Sequence, residues 1–427
     1  MILLVGLMLL FLIMGMRLFY AIAISSLIFV LTCTDMNPII IVQRISAGSD
    51  SIVMLAVPFF LLAGELMNTG GITDRLIRFS MALIGQVRGG LSFVVVLVNM
   101  LMATVSGAAI ASGAAVGSIM IPTMHKQGYS KGYAGALNAA AATIGPVIPP
   151  SVGFIIYASV SNASVGKLFL AGTLPGIFIG LALMTTCYII AVRRKYPQGN
   201  KRTRKEIWLS FKSAFWSLFM PVIILGGIMS GIVTPTEAGA LAVAYGLIVG
   251  IYIHKDLTWK QIPGLLVNTA KATARIMVII AGAAAFGWLI TREVAPDQFI
   301  SAFTNLTQSS AILLALLLVL ILLLGCIMEG GSIMIILTPL LLPVLAQYGI
   351  DVIHFGVIFQ LTIMFGLLTP PVGMLLFVIS SAGNVKINEL LKNVWPFYLV
   401  LIVSLIIIAY IPEISLWLVD KFGGNIK

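Results

Sequence analysis

Two adjacent prolines interrupt an apolar stretch at two places in the chain. Pro149 and Pro150 lie within IGPVIPPSVG, and Pro370 and Pro371 lie within FGLLTPPVG. Both stretches otherwise have the composition of membrane-spanning helices, and a proline pair breaks such a helix. Within a bilayer the freed backbone groups must face protein or a water-filled cavity. We therefore expect two broken helices whose breaks are enclosed by other segments. A simple kink in a buried helix is the alternative.

The remaining sequence is that of a polytopic membrane protein. Hydrophobic residues make up 60% of the 427 residues and charged residues only 9%, and most apolar runs are long enough to cross a bilayer. The start of the chain lacks a basic leading region and a cleavage site, so we expect two closely linked helices there rather than a signal peptide. The net charge of +11 indicates basic cytoplasmic loops and not nucleic-acid binding, because the charges lie between the apolar runs.

The order of apolar runs predicts an all-α fold in two halves, joined by a basic cytoplasmic linker at 193–213. The first half, 1–192, is predicted to contain scaffold helices in 1–69, a re-entrant hairpin at about 91–124, a broken helix at 133–160 and a helix at 168–192. The second half, 214–427, is predicted to contain scaffold helices in 214–253, an interfacial segment at 255–275, a hairpin at about 310–344, a broken helix at 354–380 and a helix at 394–417.

The two halves repeat each other in sequence. Several prolines and glycines of the first half recur 221 positions later, among them Pro122 with Pro343 and Gly145 with Gly366. If each half crosses the membrane an odd number of times, the two repeats are inverted. A cytoplasmic linker then puts 20 of the 25 Lys and Arg residues on the inner side, as the positive-inside rule requires, and both termini in the periplasm. The basic residues left outside are Arg44, Lys167, Arg292, Lys421 and Lys427.

The breaks predict a pair of ion sites. In transporters with inverted repeats, unwound backbone near the midplane coordinates Na⁺ through carbonyl oxygens and presents helix ends to anionic substrates. Gly145 and Gly366 suit such a coordinating loop. The hairpin tips TVSGAAIASG and GCIMEGGS are predicted to close on the breaks, with Ser106 offering a hydroxyl. Small residues at the tips are equally compatible with plain helix packing.

Five polar residues in the apolar segments are predicted to line a substrate cavity: Asn99, Asn138, Ser151, Glu329 and Gln360. The amides are equally suited to hydrogen bonds between helices. Glu65 is a further intramembrane carboxyl with no assigned role. Glu237 in VTPTEAG is predicted to close a capping box with Thr234 rather than to handle ions. No Arg or Lys is predicted deep in a core segment, so an acidic substrate would be held by helix ends, hydroxyls and coupled cations.

Metal binding and catalysis have little support. The three cysteines and three histidines lie in separate segments without metal-ligand spacing, so no metal other than Na⁺ and no cofactor is expected. An intramembrane enzyme would need a clustered His or Asp set, or a nucleophile with a base, and the scattered histidines argue against it.

These motifs resemble the large membrane subunit, the DctM or SiaM type, of tripartite ATP-independent periplasmic (TRAP) transporters. The resemblance rests on VPFFLLAGELMNTGGIT, IGPVIPPSVGFIIYA, GIVTPTEAGALA, YGIDVIHFGVI and GLLTPPVGMLLFV, and it covers nearly the whole chain. It implies a bacterial inner-membrane protein that works with a small four-helix membrane subunit and a periplasmic solute-binding protein. It also implies import of an organic acid on a Na⁺ gradient by an elevator motion of the hairpins and broken helices.

The resemblance further implies two sodium sites, one at Ser106, Gly145, Ile148 and Pro149 and the other at Gly325, Gly366 and Thr369. Ala103 stands where some members have a second serine, three residues before Ser106. Sialic acid is the preferred cargo, because the stretches 160–200 and 246–261 resemble the SiaM type, and a C4-dicarboxylate is the next. A stand-alone Na⁺/carboxylate symporter or antiporter is the alternative function.

Overall fold

The computed structural model describes residues 2–50, 52–199, 202–293, 306–326, 328–370 and 373–425, and in these ranges the regular structure is helical. The α-helices of the first half are α1 Ile2–Ile13, α2 Leu18–Cys33, α3 Ile39–Ser49, α4 Ala56–Thr69, α5 Ile72–Ile84, α6 Gly90–Ser106, α7 Ala109–Lys126, α8 Lys131–Ala142, α9 Val152–Ser161 and α10 Val165–Arg193. Those of the second half are α11 Arg204–Met229, α12 Pro235–Ile248, α13 Ile262–Glu293, α14 Ser310–Gly325, α15 Gly330–Gln347, α16 Val352–Gly366, α17 Met374–Gly383, α18 Ile387–Tyr410 and α19 Glu413–Phe422.

Pairs of helices occupy the segments that are predicted to form hairpins and broken helices, and the re-entrant path of the hairpins stays a prediction. The first hairpin is α6 and α7, and its broken helix is α8 and α9 with the break between them. The second hairpin is α14 and α15, and its broken helix is α16 and α17. Of the second proline pair, Pro371 lies outside the described residues, while Pro370 lies in the break.

The internal repeat extends to backbone geometry at the turn between each hairpin and its broken helix. Gly128 and Gly349 both have positive φ, +89° and +65°. The amide after each glycine donates to the carbonyl five residues back, from Tyr129 to Met124 and from Ile350 to Leu345, which is the Schellman pattern of a helix end. Side chains then cap the next helices, Ser130 for α8 and Asp351 for α16. The inverted orientation of the two halves stays a prediction.

Six described helices are long and apolar enough to cross a membrane, or up to seven if the bent pair α3 and α4 forms one span. Helix α1 has 12 residues, which reach only about 18 Å against a hydrocarbon core of about 30 Å. The chain is therefore a multi-pass membrane protein, and the shorter apolar helices are mainly those of the hairpins, the breaks and the amino-terminal pair.

The structure differs from the predicted boundaries in two places. The linker predicted at 193–213 is shorter, because Thr203 and Glu206 form a capping box that begins α11 at Arg204. The interfacial segment predicted at 255–275 is not separate from the span that follows it. From Ile262 onward it is the first part of α13, a continuous helix of 32 residues. The charged residues Lys271 and Arg275 are the reason that the sequence predicted an interfacial segment here.

The hairpins interlock across the two halves. Helix α7 packs against α8 of its own half and against α17 of the other half. In the same way α15 packs against α16 and against α9. Helix α13 lies against α15 on one side and against α2, α3 and α4 on the others. The hairpins and breaks thus form one inner unit, and α13 is the helix that connects it to the amino-terminal helices.

A polar cluster fastens the loop after α12 to the start of α5. The Arg75 guanidinium lies 2.5 Å from a carboxylate oxygen of Asp256 and donates to the Gly71 carbonyl at 2.8 Å. His254 lies beside this pair, with Nδ1 3.4 Å from the Gly70 carbonyl oxygen. Burial lowers the pKa of His254 below its ordinary value, and the neighbouring Arg75 charge acts in the same direction. The imidazole is therefore held neutral.

Candidate functional site

The first hairpin tip rests directly on the first break. Gly107, between α6 and α7, has φ +58°, and a β-carbon placed there would lie 2.6 Å from the Pro150 carbonyl oxygen. Gly145 in the break faces α7, where its β-carbon would lie 3.3 Å from the Ser112 hydroxyl and 3.5 Å from the Ala109 Cα. Such close approach of two backbones requires glycine, because any side chain would push the tip from the break.

The second hairpin tip meets the second break in the same way. A β-carbon on Gly366 would lie 2.7 Å from the Cα of Gly325, and one on Gly325 would lie 3.2 Å from the Cα of Gly366. The Thr369 hydroxyl donates to the Phe365 carbonyl at 2.8 Å and lies 3.1 Å from the Tyr398 hydroxyl. The structure thus brings the residues predicted for the second sodium site, Gly325, Gly366 and Thr369, to one tip and break.

Those predicted for the first sodium site are likewise at one tip and break. Ser106 ends α6 and is 7% exposed, and its hydroxyl donates to the Met102 carbonyl at 3.2 Å. Ile148 and Pro149 lie in the break, and Ile148 is packed against Gly176 of α10. Sodium binding by these groups stays a prediction.

A cavity of about 450 Å³ lies between the two tips. Such a volume is in the range of small-molecule sites. Its walls include residues 107–110 and 329–332 of the tips, 146, 152, 153 and 156 of the first broken helix, 360, 364, 367 and 374 of the second, and 272, 275, 276 and 279 of α13. Apolar side chains dominate this lining, and a few polar groups face the space between them.

Two of the five residues predicted for a substrate cavity border the cavity between the tips. Gln360 is 2% exposed, and its amide lies against Gly153, where a β-carbon would be 2.3 Å from Oε1. Glu329 also lines the cavity, as the N-cap of α15. Its carboxylate accepts from the backbone N–H groups of Gly331 and Ser332, each at 3.1 Å. The α15 terminus therefore offsets the charge of this carboxylate.

The other three residues predicted for the substrate cavity do not border the cavity between the tips, and all three are buried. Asn99 and Asn138 are joined by an amide hydrogen bond of 3.0 Å between α6 and α8. Asn138 also donates to the Gly113 carbonyl of α7 at 2.8 Å, so the pair ties three helices together. Ser151 is the N-cap of α9 and accepts from the Phe154 amide. The two asparagines thus join helices, and Ser151 caps one.

One basic residue lies on the cavity wall, where the sequence did not indicate one. Arg275 of α13 lines the cavity, although no Arg or Lys was expected near the substrate. Its position in the segment predicted to be interfacial, one turn after Lys271, suggested that Arg275 lies at the membrane surface. The 3.6-residue helical repeat, which also brings Ala272, Ile276 and Ile279 to the cavity, was the signal that could have found it.

A second cavity of about 380 Å³ lies farther along the same helices. Its lining includes Ser159 and Asn162 near the end of α9, Ala284 and Trp288 of α13, and Pro339 of α15. The Arg44 guanidinium lies 4.5 Å from the centre of the Trp288 ring, and that of Arg292 lies 5.3 Å from it. The two cavities are therefore both bordered by α9, α13 and α15, and cationic side chains lie at the Trp288 end.

Residues 5–414 match the family described as the tripartite ATP-independent periplasmic transporter, DctM component. The chain belongs to the DctM family. It is accordingly a transport protein and not an enzyme.

Relatives of this DctM-family chain are named as large permease proteins of TRAP transporters. It is 40% identical to the 2,3-diketo-L-gulonate protein YiaN of Escherichia coli, over 91% of each chain. It is 38% identical to the sialic acid protein SiaM of Vibrio cholerae, over 96% of each chain. It is 40% identical to the C4-dicarboxylate protein DctM of Pseudomonas aeruginosa, over 88% of each chain. The resemblance found in the sequence is thus confirmed.

A solved structure supports the fold. The Alcanivorax borkumensis YdaH transporter, reported to have an unusual topology, superposes with a TM-score of 0.60 over 90% of this chain and 88% of that one. At 16% sequence identity this likeness concerns the fold alone.

Proposed function

We propose that this chain is the large permease of a bacterial inner-membrane TRAP transporter that imports an organic acid on a Na⁺ gradient. A periplasmic binding protein delivers the acid, and a small four-helix membrane subunit completes the permease. One observation carries the proposal: each hairpin tip rests on the break of its own half, and both tips border the same cavity.

Sodium coupling is supported by the two contacts between tip and break. At Gly145 and Gly366 the backbone of the break lies against its hairpin, with the Ser112 hydroxyl beside Gly145 and the Gly325 carbonyl oxygen beside Gly366 as candidate oxygen ligands. A cation bound at either contact would hold the tip on the break and so fix the wall of the cavity. Sodium binding and substrate binding would be coupled because they stabilise the same arrangement.

The proposed cargo is a carboxylate. The relatives named above carry 2,3-diketo-L-gulonate, sialic acid and C4-dicarboxylates in their names, and these solutes are all organic acids. A mostly apolar cavity with a few polar groups suits the carbon skeleton and the anionic group of such a solute. We prefer sialic acid, with a C4-dicarboxylate next.

An elevator motion is supported by the order of the two cavities. On α9, Val152 and Ile156 border the first cavity and Ser159 the second. On α13, Ile279 borders the first and Ala284 the second. The same face of α13 thus adjoins both spaces. Movement of the inner unit along α13 would bring the substrate cavity to either side of the membrane. Both chain termini are proposed to be periplasmic.

Uptake into proteoliposomes tests the proposal. The chain and its small subunit are reconstituted, and entry of labelled sialic acid and of labelled succinate is measured with and without an inward Na⁺ gradient and the binding protein. We expect uptake to require both. Uptake by the chain alone would favour a stand-alone symporter or antiporter, and uptake that is indifferent to Na⁺ would contradict the coupling.

A further inference from the structure

From the cavity geometry, we infer that Arg275 of α13 binds the carboxylate of the transported acid and sets the preference of this permease for anionic solutes. The inference rests on the proposed function and names a residue for it. Among the cavity-lining residues that the structure describes, Arg275 is the only basic one. It lies on α13, a helix that is part of neither hairpin and neither broken helix.

Arg275 has no competing partner in the described part of the chain. Other arginines are engaged: Arg75 pairs with Asp256, and Arg202 pairs with Glu206. For Arg275 the described residues provide no ion pair and no hydrogen bond, and its side chain is exposed. A cation that lacks an internal partner and lines an open-sided cavity is available to an anionic ligand.

Glu329, the acidic residue of the same cavity, is occupied elsewhere. Its carboxylate accepts two backbone N–H groups at the α15 terminus, and the Ser332 hydroxyl lies 3.2 Å from it. It forms no ion pair with Arg275, since no such pair lies within 4.0 Å among the described residues. The charge of Arg275 is therefore not neutralised by its only acidic neighbour in the lining.

The ligand chemistry follows from the side chain and the walls around it. A guanidinium presents donors in a planar fork that matches a carboxylate in two parallel hydrogen bonds. The lining of the same cavity also contains Gln360, with its amide, and the apolar residues Met334 and Met364. These can contact the uncharged part of a solute, while the carboxylate lies against Arg275. A neutral solute of the same shape lacks the group that the guanidinium recognises.

Position on α13 makes this contact specific for one stage of transport. If the tips and breaks move together along α13, the cavity moves away from Arg275, and the carboxylate is released from it. The residue would then hold the acid in the arrangement described here and not in the opposite one. Substitution should consequently weaken binding in this arrangement without removing the Na⁺ sites.

Binding to the purified full-length chain tests the inference, with Na⁺ present and sialic acid, succinate and their methyl esters as probes. Arg275→Ala should weaken binding of the transported acid at least about tenfold, as expected for a lost charged hydrogen bond, and leave binding of the fully esterified, neutral form unchanged. Arg275→Lys should give an intermediate affinity, because the charge remains while the planar fork is lost.

Lys271→Ala is the matched control. Lys271 lies one turn earlier on α13, is exposed, and does not line the cavity, so its loss removes the same charge from the same helix. If Arg275→Ala and Lys271→Ala bind the acid equally well, the inference is overturned while wild-type transport keeps the proposed function intact. If the wild-type chain neither binds nor transports either acid, the proposed cargo falls together with the inference.

Discussion

Gly325 at the end of α14 and Gly366 at the end of α16 are in backbone contact, so that a β-carbon on Gly366 would lie 2.7 Å from the Cα of Gly325. In the first half, a β-carbon on Gly145 would lie 3.3 Å from the Ser112 hydroxyl and 3.5 Å from the Ala109 Cα of α7, so this contact is looser. The contact at the second break should therefore tolerate an added methyl group less well than the contact at the first break.

Alanine at Gly366 should therefore abolish most Na⁺-dependent uptake, and alanine at Gly145 should reduce it less. The added methyl group pushes the tip from the break in both variants, but in Gly145→Ala the Ser112 hydroxyl can move away. Larger residues, such as leucine, should abolish uptake at both positions. The measurement is the initial rate of uptake at fixed amounts of protein in the membrane.

Gly226→Ala is the control for the glycine series. Gly226 lies within α11, and a β-carbon there would have no atom within 4 Å. Its replacement should leave uptake unchanged. Intact Na⁺-dependent uptake by the leucine variants at both 145 and 366 would remove the ion-site hypothesis.

Replacing Asn138 should affect stability rather than specificity. The side chain joins α6, α7 and α8 through its bonds with Asn99 and the Gly113 carbonyl. Asn138→Ala should lower the free energy of unfolding by about 1 kcal/mol, a typical value for a hydrogen bond between membrane helices. Thermal denaturation in detergent measures this, with substrate affinity measured on the folded fraction. A selective loss of affinity at unchanged stability would restore Asn138 to the substrate site.

Thr234 and Glu237 form the predicted capping box at the start of α12, with Glu237 accepting from the Thr234 amide at 2.7 Å. Glu237→Gln should be mild, because the amide oxygen still accepts that bond. Thr234→Ala should cost about 1 kcal/mol of stability, since an N-cap is lost. Both are measured by thermal denaturation alongside uptake. Complete loss of transport by a normally folded Glu237→Gln variant would show that the carboxylate does more than cap the helix.

Acidification should destabilise the contact between α5 and the loop after α12. The pKa of His254 is lower in the folded chain than in the unfolded one, because burial and Arg75 disfavour its charged form and outweigh the opposing effects of the Gly70 carbonyl and Asp256. Well above about pH 6.5 both states are neutral at this residue. Below that value the unfolded chain binds the proton more readily, so stability falls as the pH decreases.

The denaturation midpoint of the wild type should therefore decrease more between pH 7.5 and 5.5 than that of His254→Gln. The comparison between the two proteins isolates this residue, since all other titrating groups are shared. Equal slopes would show that His254 does not contribute to the acid sensitivity.

The helix pairs of the hairpins and breaks lie in the segments that the sequence indicates, because proline, glycine and apolar run length determine helix ends locally. Helix α5 was missed because its residues are amphipathic and shorter than a membrane span, and α13 was divided because charged residues occupy its early turns. The roles of Asn99 and Arg275 could not be predicted from such local patterns. An amide can line a cavity or join helices, and an arginine within a long helix can face a cavity or the membrane surface. Only the rotation of each helix about its axis decides between these.

The interlocking of the hairpins has a consequence for biosynthesis. The returning arm of the first hairpin, α7, packs on α17, which is synthesised some 250 residues later. Until residues 374–383 leave the ribosome and enter the bilayer, one side of α7 is without its final neighbour. The amino-terminal half therefore stays incompletely packed during this interval, and the exposed side of α7 is a surface that a chaperone or the insertion machinery could bind.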